Sequence, residues 1–257
     1  MITRNYATVN GLNMYYEVHG NGESLVLIHG GGSTIETTFG NILPLLAKRY
    51  KVVAVEMQAH GHTGDRDARE TFEQDADDVA TLLKQLNIPN ASIFGFSNGG
   101  NTAMQIAIRH PSIVNKLIIA SAFYQRDGMI AGFFENMQYA TLENMPELLK
   151  TAFLKINPDP DKLRNMHDKD KARMLAFRDW ADDDIQSIQA PTLIINGNHD
   201  VVKPEHAVKM SQLIPHAELM IVPGIHGSFI GEVCTIKKDS KIPELTIAAI
   251  HEFLDED

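Results

Sequence analysis

The chain has a single cysteine and a single tryptophan among 257 residues, and nowhere a run of about 20 apolar side chains. One thiol, Cys234, can form neither an internal disulfide nor a thiolate metal cage, which suits a reducing compartment and leaves the residue as a bystander. Without a membrane-length run, and without an apolar stretch in the opening M-I-T-R-N-Y-A-T-V-N-G, the expectation is a cytoplasmic protein with no membrane partner. Basic side chains are also scarce: 23 Lys and Arg against 33 Asp and Glu leave a formal charge of -10. No Lys/Arg cluster interrupts that balance, so the phosphates of a nucleic acid would be repelled. What is present is a 44% hydrophobic content, enough to bury a core in one large α/β domain or two small ones.

The segment R-N-Y-A-T-V, then Asn10-Gly11, then L-N-M-Y-Y-E-V alternates around a strong two-residue hairpin signal, which predicts antiparallel strands at the start. Short apolar runs follow at 25–29, 51–55, 91–96, 116–120, 192–196 and 217–222, separated by helical patterns. Unbroken apolar runs are what strands covered on both faces look like, and the intervening helices supply the crossovers of a parallel sheet. The fold class is therefore α/β, with a mostly parallel eight-stranded sheet flanked by helices. The rhythm breaks over 123–186, which holds helical patterns and the punctuated N-P-D-P but no convincing strand. It reads as a helical cap inserted between core segments 1–122 and 187–257. An amphipathic helix over 243–254 should return to the sheet.

Chemistry concentrates where strands end. The stretch Gly95-Phe96-Ser97-Asn98-Gly99 fits G-x-S-x-G with a strand before it and a helical pattern after it, a turn that lifts a serine hydroxyl above the sheet edge. A serine hydroxyl is a weak nucleophile until a base takes its proton, and the base must be oriented by a third group. Asp200 follows the strand 192–196, and His226 follows the strand 217–222. The carboxyl ends of neighbouring parallel strands open on one side of a sheet, so the loops at Ser97, Asp200 and His226 can converge.

This order of residues and loops resembles the α/β-hydrolase fold family over nearly the whole chain. The resemblance implies that Ser97 is the nucleophile, His226 the general base and acid, and Asp200 the group that holds the imidazole tautomer. It also implies an oxyanion hole formed by the backbone N–H groups of Asn98 and of Gly31, in the loop His29-Gly30-Gly31-Gly32-Ser33, with Gly32 the lesser candidate. His29 reads as a structural hydrogen-bonding residue. The family usually carries an aspartate where Glu56 stands and a glycine near Ala59, so the loop E-M-Q-A-H-G-H-T-G departs from its pattern. His60 and His62 have an H-x-H spacing that zinc could use, but no metal or other cofactor is expected.

His199 and His216 read as surface residues, and Asp182-Asp183-Asp184 and the D-K-D-K-A-R of 168–173 as solvated helix faces. The segment 123–186 carries Met129, Phe133, Phe134, Met137, Tyr139, Met145, Phe153 and Trp180, whose helical spacing favours packing within the segment, with an apolar acyl pocket as the alternative. The expected activity is hydrolysis of a small, partly apolar carboxylic ester or lactone through an acyl-enzyme. Related alternatives are a C–C bond hydrolase of vinylogous diketones, whose members tend to carry serine and proline in the glycine loop, or an acyltransferase. The alternative from another class is a small-molecule receptor that retains the same three residues. A serine at the nucleophile position argues against the aspartate-dependent dehalogenases and epoxide hydrolases of the fold.

Overall fold

The computed structural model describes residues 2–256. Its eight strands are β1 (Ile2–Val9), β2 (Leu12–His19), β3 (Ser24–Ile28), β4 (Lys51–Val55), β5 (Ala91–Phe96), β6 (Val114–Ala120), β7 (Thr192–Gly197) and β8 (Ala217–Val222). They form one sheet in the order β1-β2-β4-β3-β5-β6-β7-β8, in which only β2 runs against the others. The expected hairpin is present: Val9 pairs with Leu12 across Asn10-Gly11, both with positive φ as a type I′ turn requires.

The helices are α1 (Ile35–Phe39), α2 (Leu43–Leu46), α3 (Phe72–Gln85), α4 (Asn98–Arg109), α5 (Phe133–Met137), α6 (Glu147–Ile156), α7 (Pro160–Ala176), α8 (Asp182–Gln186), α9 (Pro204–Leu213) and α10 (Ile242–Asp255). Successive side chains of a strand point to opposite faces, so each unbroken apolar run feeds two cores at once. Val26, Ile28, Ile93, Leu117, Ile119 and Ile194 pack on one face with Val79, Leu82, Met104 and Met210 from α3, α4 and α9. Leu25, Leu27, Phe94, Ile118 and Ile195 pack on the other with Phe39, Leu46, Ile250 and Phe253 from α1, α2 and α10.

The segment between β6 and β7 is helical, as its pattern predicts, but it is not uniform. Ile185 of α8 and the nearby Ile188 join the first core. Phe153, Leu163 and Met166 of α6 and α7 instead form a small cluster with Ala59. Phe134, Met174 and Phe177 form another with Phe72, Phe123 and Val202. None of the helices among the described residues is long and apolar enough to cross a membrane.

Strand order decides where a site can form. β3 has β4 on one side and β5 on the other, so the chain leaves β3 in one direction and later returns to its other edge. At such a switch point the loops following the two strands diverge and leave a crevice at the carboxyl edge of the sheet. The loop after β3 holds Gly31, and the turn after β5 holds Ser97.

Candidate active site

The strand β5 and the helix α4 meet at Ser97 without an intervening loop. Ser97 has φ 54 and ψ -123, a conformation that costs a non-glycine residue on the order of 1–3 kcal/mol and holds its side chain out of both elements. Such a turn leaves no room beside it. A Cβ on Gly95 would collide with the Gly99 carbonyl, and one on Gly99 with the Ile28 carbonyl of β3. The turn is secured by Ser97 N–H donating to Ala120 O at 2.8 Å and by Gly100 N–H donating to Ser97 O at 2.8 Å.

The structure brings Ser97, His226 and Asp200 into one hydrogen-bonded chain. His226 Nε2 lies 3.1 Å from Ser97 Oγ, and His226 Nδ1 lies 2.8 Å from Asp200 Oδ1. The Asp200 side chain is fully buried whereas that of His226 is 29% exposed. Burial opposes ionisation of Asp200, but the neighbouring His226 and the donors around the carboxylate outweigh it and hold its pKa below the usual range. An ionised Asp200 requires Nδ1 to carry the proton, which leaves the Nε2 lone pair facing the serine hydroxyl. The two loops are knitted by His199 N–H donating to Gly224 O at 3.0 Å and Gly224 N–H donating to Asn198 Oδ1 at 2.8 Å.

One member of this group was not legible in the sequence. Ser121, the residue after β6, has φ 50, is buried, and donates from Oγ to Asp200 Oδ2 at 2.5 Å. Val202 N–H donates to Asp200 Oδ1 at 3.1 Å. The signal was weak: a serine at a strand end is common, and only the third dimension puts it beside the acid 79 residues away.

The glycine loop after β3 is held by His29. Met57 N–H donates to His29 Nε2 at 3.0 Å, so Nδ1 bears the proton and donates to Gly30 O at 2.7 Å. Burial, followed by the nearby His60, pushes the His29 pKa down to about 3 and keeps the ring neutral. The Gly30 carbonyl shares a rigid peptide plane with Gly31 N–H, so His29 orients that donor. Among the described residues Gly31 N–H has no acceptor. Asn98 N–H, in the first turn of α4, has no intrahelical one.

Gly32 N–H is different, because it donates to Asp170 Oδ2 at 2.6 Å. Asp170 and Arg173 correct the reading of 168–173 as a solvated face. Leu163, Met166, Asp170 and Arg173 recur at helical spacing and lie on the inner stripe of α7, whereas Asp168 is exposed. Asp170 Oδ2 also accepts from His60 Nε2 at 3.0 Å, and Oδ1 from Asn98 Nδ2 at 3.3 Å and from Arg173 Nη2. Arg173 reaches on to Asp75 Oδ2 at 2.8 Å. The spacing of two apolar residues and two charged ones along a single helical face was the available signal. The remaining acidic run, Asp182–Asp184, is partly or largely exposed.

His60 and His62 face different partners. His60 is buried and donates from Nδ1 to Gln58 O at 2.7 Å, while His62 Nδ1 sits 2.9 Å from the buried carboxylate of Glu56. Burial would lower the His60 pKa, but Asp170 reverses the effect and raises it to about 9, so both ring nitrogens donate. Gly32 N–H also lies 3.2 Å from His60 Nε2, but a protonated nitrogen has no lone pair to offer, so that amide belongs to Asp170. The departures at Glu56 and Ala59 are accommodated: Glu56 accepts from His62 N–H at 2.7 Å, and Ala59 takes a positive φ of 62. His199 and His216 are exposed. Cys234 is exposed as a residue, and partial desolvation together with Glu232 pushes its thiol up to about 12, far from a reactive thiolate.

Ser97, Asn98, Gly31, Ser121, Asp170 and His226 open into one cavity of about 420 Å³. Its other walls are mostly apolar and include Phe123, Met129, Met137, Met145, Leu149 and Met174. The bulky residues of 123–186 thus divide: several methionines and Phe133 face the cavity, Phe134 and Phe153 are buried in the segment, and Tyr139 is 76% exposed.

Residues 23–233 match the alpha/beta hydrolase fold family, and the chain belongs to it. It is 27% identical over 242 residues to a 2-hydroxy-6-oxo-6-(2'-aminophenyl)hexa-2,4-dienoic acid hydrolase of Metapseudomonas resinovorans, covering 85% of this chain and 82% of that one. It is 29% identical over 258 residues to the serine hydrolase BPHL of Homo sapiens, covering 93% and 86%. The enol-lactonase from Burkholderia xenovorans LB400 shares the fold with a TM-score of 0.74 at 21% identity, over 98% of this chain and 100% of that one.

Proposed function

We propose that the protein is a serine hydrolase that cleaves a small, partly apolar carboxylic ester or lactone through an acyl-enzyme. The observation that carries this reading is the chain from Asp200 Oδ1 through His226 to Ser97 Oγ at 2.8 and 3.1 Å, open to an apolar cavity. Ser97 Oγ adds to the substrate carbonyl as its proton passes to His226 Nε2, and the imidazolium gains the Asp200 charge as its counter-ion. The carbonyl oxygen, now an oxyanion, is met by Gly31 N–H and Asn98 N–H, each typically worth ~10²- to 10³-fold in turnover. His226 returns its proton to the leaving alkoxide. It then takes one from the water that attacks the acyl-enzyme, and passes it to Ser97 Oγ as the acid departs and the serine is restored. A cavity of about 420 Å³ suits a small molecule, and its methionines can adjust to acyl groups of differing shape.

A second reading, hydrolysis of a C–C bond in a vinylogous diketone, is favoured by the 27% identity to the dienoic acid hydrolase. The serine and proline that such enzymes tend to carry are missing from Gly31-Gly32-Ser33. Steady-state assay against p-nitrophenyl esters, a lactone and a vinylogous diketone separates the readings. Ester or lactone turnover is the expected result, and cleavage of the diketone alone would replace the first reading by the second. Ser97→Ala and His226→Ala should each remove nearly all of the turnover, since members of such a unit fail together. Retention of most of the activity by Ser97→Ala would sink the assignment.

A further inference from the structure

Asp170 sits in an unusual place for a carboxylate. It belongs to α7 of the segment inserted between β6 and β7, yet its oxygens reach the loop after β3 and the turn after β5. A bare negative charge there would oppose an oxyanion forming at Gly31 and Asn98, so something must offset it. The offset is close by: His60 Nε2–H at 3.0 Å and the guanidinium of Arg173, whose own side chain is only 5% exposed. Burial works against ionisation of Asp170, but these two cations win and hold its pKa well below the usual carboxylate range.

The acceptor sites of this carboxylate are all in use. Oδ2 takes Gly32 N–H at 2.6 Å and His60 Nε2–H, while Oδ1 takes Asn98 Nδ2–H at 3.3 Å and Arg173 Nη2–H. A carboxylate offers about four lone-pair positions, so none is left for a substrate hydroxyl or amide. Although Asp170 borders the cavity, its bonding argues for a role through its neighbours. Two of those neighbours are telling. Gly32 follows the proposed donor Gly31, and the Asn98 side chain belongs to the residue whose backbone is the other proposed donor.

We propose that Asp170 is a positioning residue: from the inserted helix α7, its carboxylate ties together the two loops that present Gly31 N–H and Asn98 N–H, so that seating of α7 organises the oxyanion-binding site. This rests on the reading of Ser97 as the nucleophile. His29 fixes the Gly31 amide from below through Gly30 O, and Asp170 fixes the same loop from above through Gly32 N–H. The cations Arg173 and His60 keep the carboxylate ionised and immobile, and Asp75 anchors Arg173 from its other side. The inserted helix thereby becomes part of the apparatus for catalysis in addition to walling the cavity.

The test is Asp170→Asn in the full chain. An amide at this position loses one acceptor oxygen and turns a donor toward donors, so both loops should drift. With p-nitrophenyl butyrate, kcat should fall about 10- to 100-fold, a fraction of the worth of two donors, while KM changes less than about threefold. Affinity for an aryl trifluoromethyl ketone, whose serine hemiketal places an oxyanion between the two amides, should fall by about the same factor as kcat/KM. A kcat within about twofold of wild type, or a fall in kcat with unchanged ketone affinity, would overturn the proposal.

Wild-type protein provides a second measurement that needs no variant to fold. The Gly32 amide should be protected from hydrogen exchange together with the amides of α7, and exchange at the rate of a free loop would also overturn it. Loss of activity in Ser97→Ala beside normal kcat in Asp170→Asn would remove only the positioning role. Full activity in Ser97→Ala would remove the reading beneath it.

Discussion

Asp200 accepts from His226 Nδ1, from Val202 N–H and from Ser121 Oγ, and each bond does a separate task. The first sets the tautomer of the imidazole, the second fixes the acid to its own loop, and the third ties that loop to the end of β6. A hydrogen bond to a charged group contributes about 1.5–3 kcal/mol, and 1.36 kcal/mol corresponds to tenfold in rate. Replacing Ser121 by alanine should therefore lower kcat/KM by about 10- to 100-fold, read with any p-nitrophenyl ester that is turned over. An unchanged value would mean that Val202 and burial alone hold the acid in place. At this scale the sequence singled out Ser97, Asp200 and His226, which lie in one hydrogen-bonded chain, because each follows a strand in a short turn-rich motif. It concealed Ser121, because its partnership spans 79 residues and nothing around it marks a site.

Among the elements, α7 departs most from its sequence reading. A run written D-K-D-K-A-R looks like a solvated face, and part of it is one: Asp168 is 61% exposed. Asp170 and Arg173 instead continue the stripe begun by Leu163 and Met166 and enter a buried group with His60, Asp75 and Glu70. Helical periodicity was visible, but the charges on its inner stripe have partners 98 and 110 residues away that no local pattern announces.

This group makes stability depend on pH. The folded-state pKa of His60, about 9, lies above its ordinary 6.5, so the stabilisation is fully present below about pH 6.5 and is lost as pH rises through about 9. Burial, opposed by Arg173, also raises the buried acids Glu70 and Asp75, to about 7 and about 6, so their contribution disappears in the same direction but at lower pH. Urea denaturation at several values between about pH 7 and 9.5 should show the unfolding free energy falling, and His60→Gln should flatten that fall. Parallel slopes for the two proteins would contradict the placement of a charged His60 beside Asp170.

For the whole molecule, topology is decisive. Alternation of strand and helix signals was enough to anticipate a mostly parallel sheet, and the hairpin at Asn10-Gly11 its antiparallel start. The order in which the strands pair does not follow from those signals, yet it sets the loop after β3 against the turn after β5 and opens the crevice. Family resemblance bridged that gap. It left open how the inserted helices meet the core, because their contacts depend on packing between segments more than 90 residues apart. Cavity walls likewise come from both parts: Phe123, Met129 and Met174 face Ser97 and His226 across the same space.

The central claim is that this assembly makes one hydroxyl out of many reactive. A fluorophosphonate probe phosphonylates an activated serine and leaves ordinary ones untouched, so mass spectrometry of the labelled, digested protein tests the claim most directly. The account predicts a single adduct on the peptide carrying Ser97, absent from Ser97→Ala and greatly slowed in His226→Ala. No adduct on the wild-type protein, or one on a different serine, would contradict it.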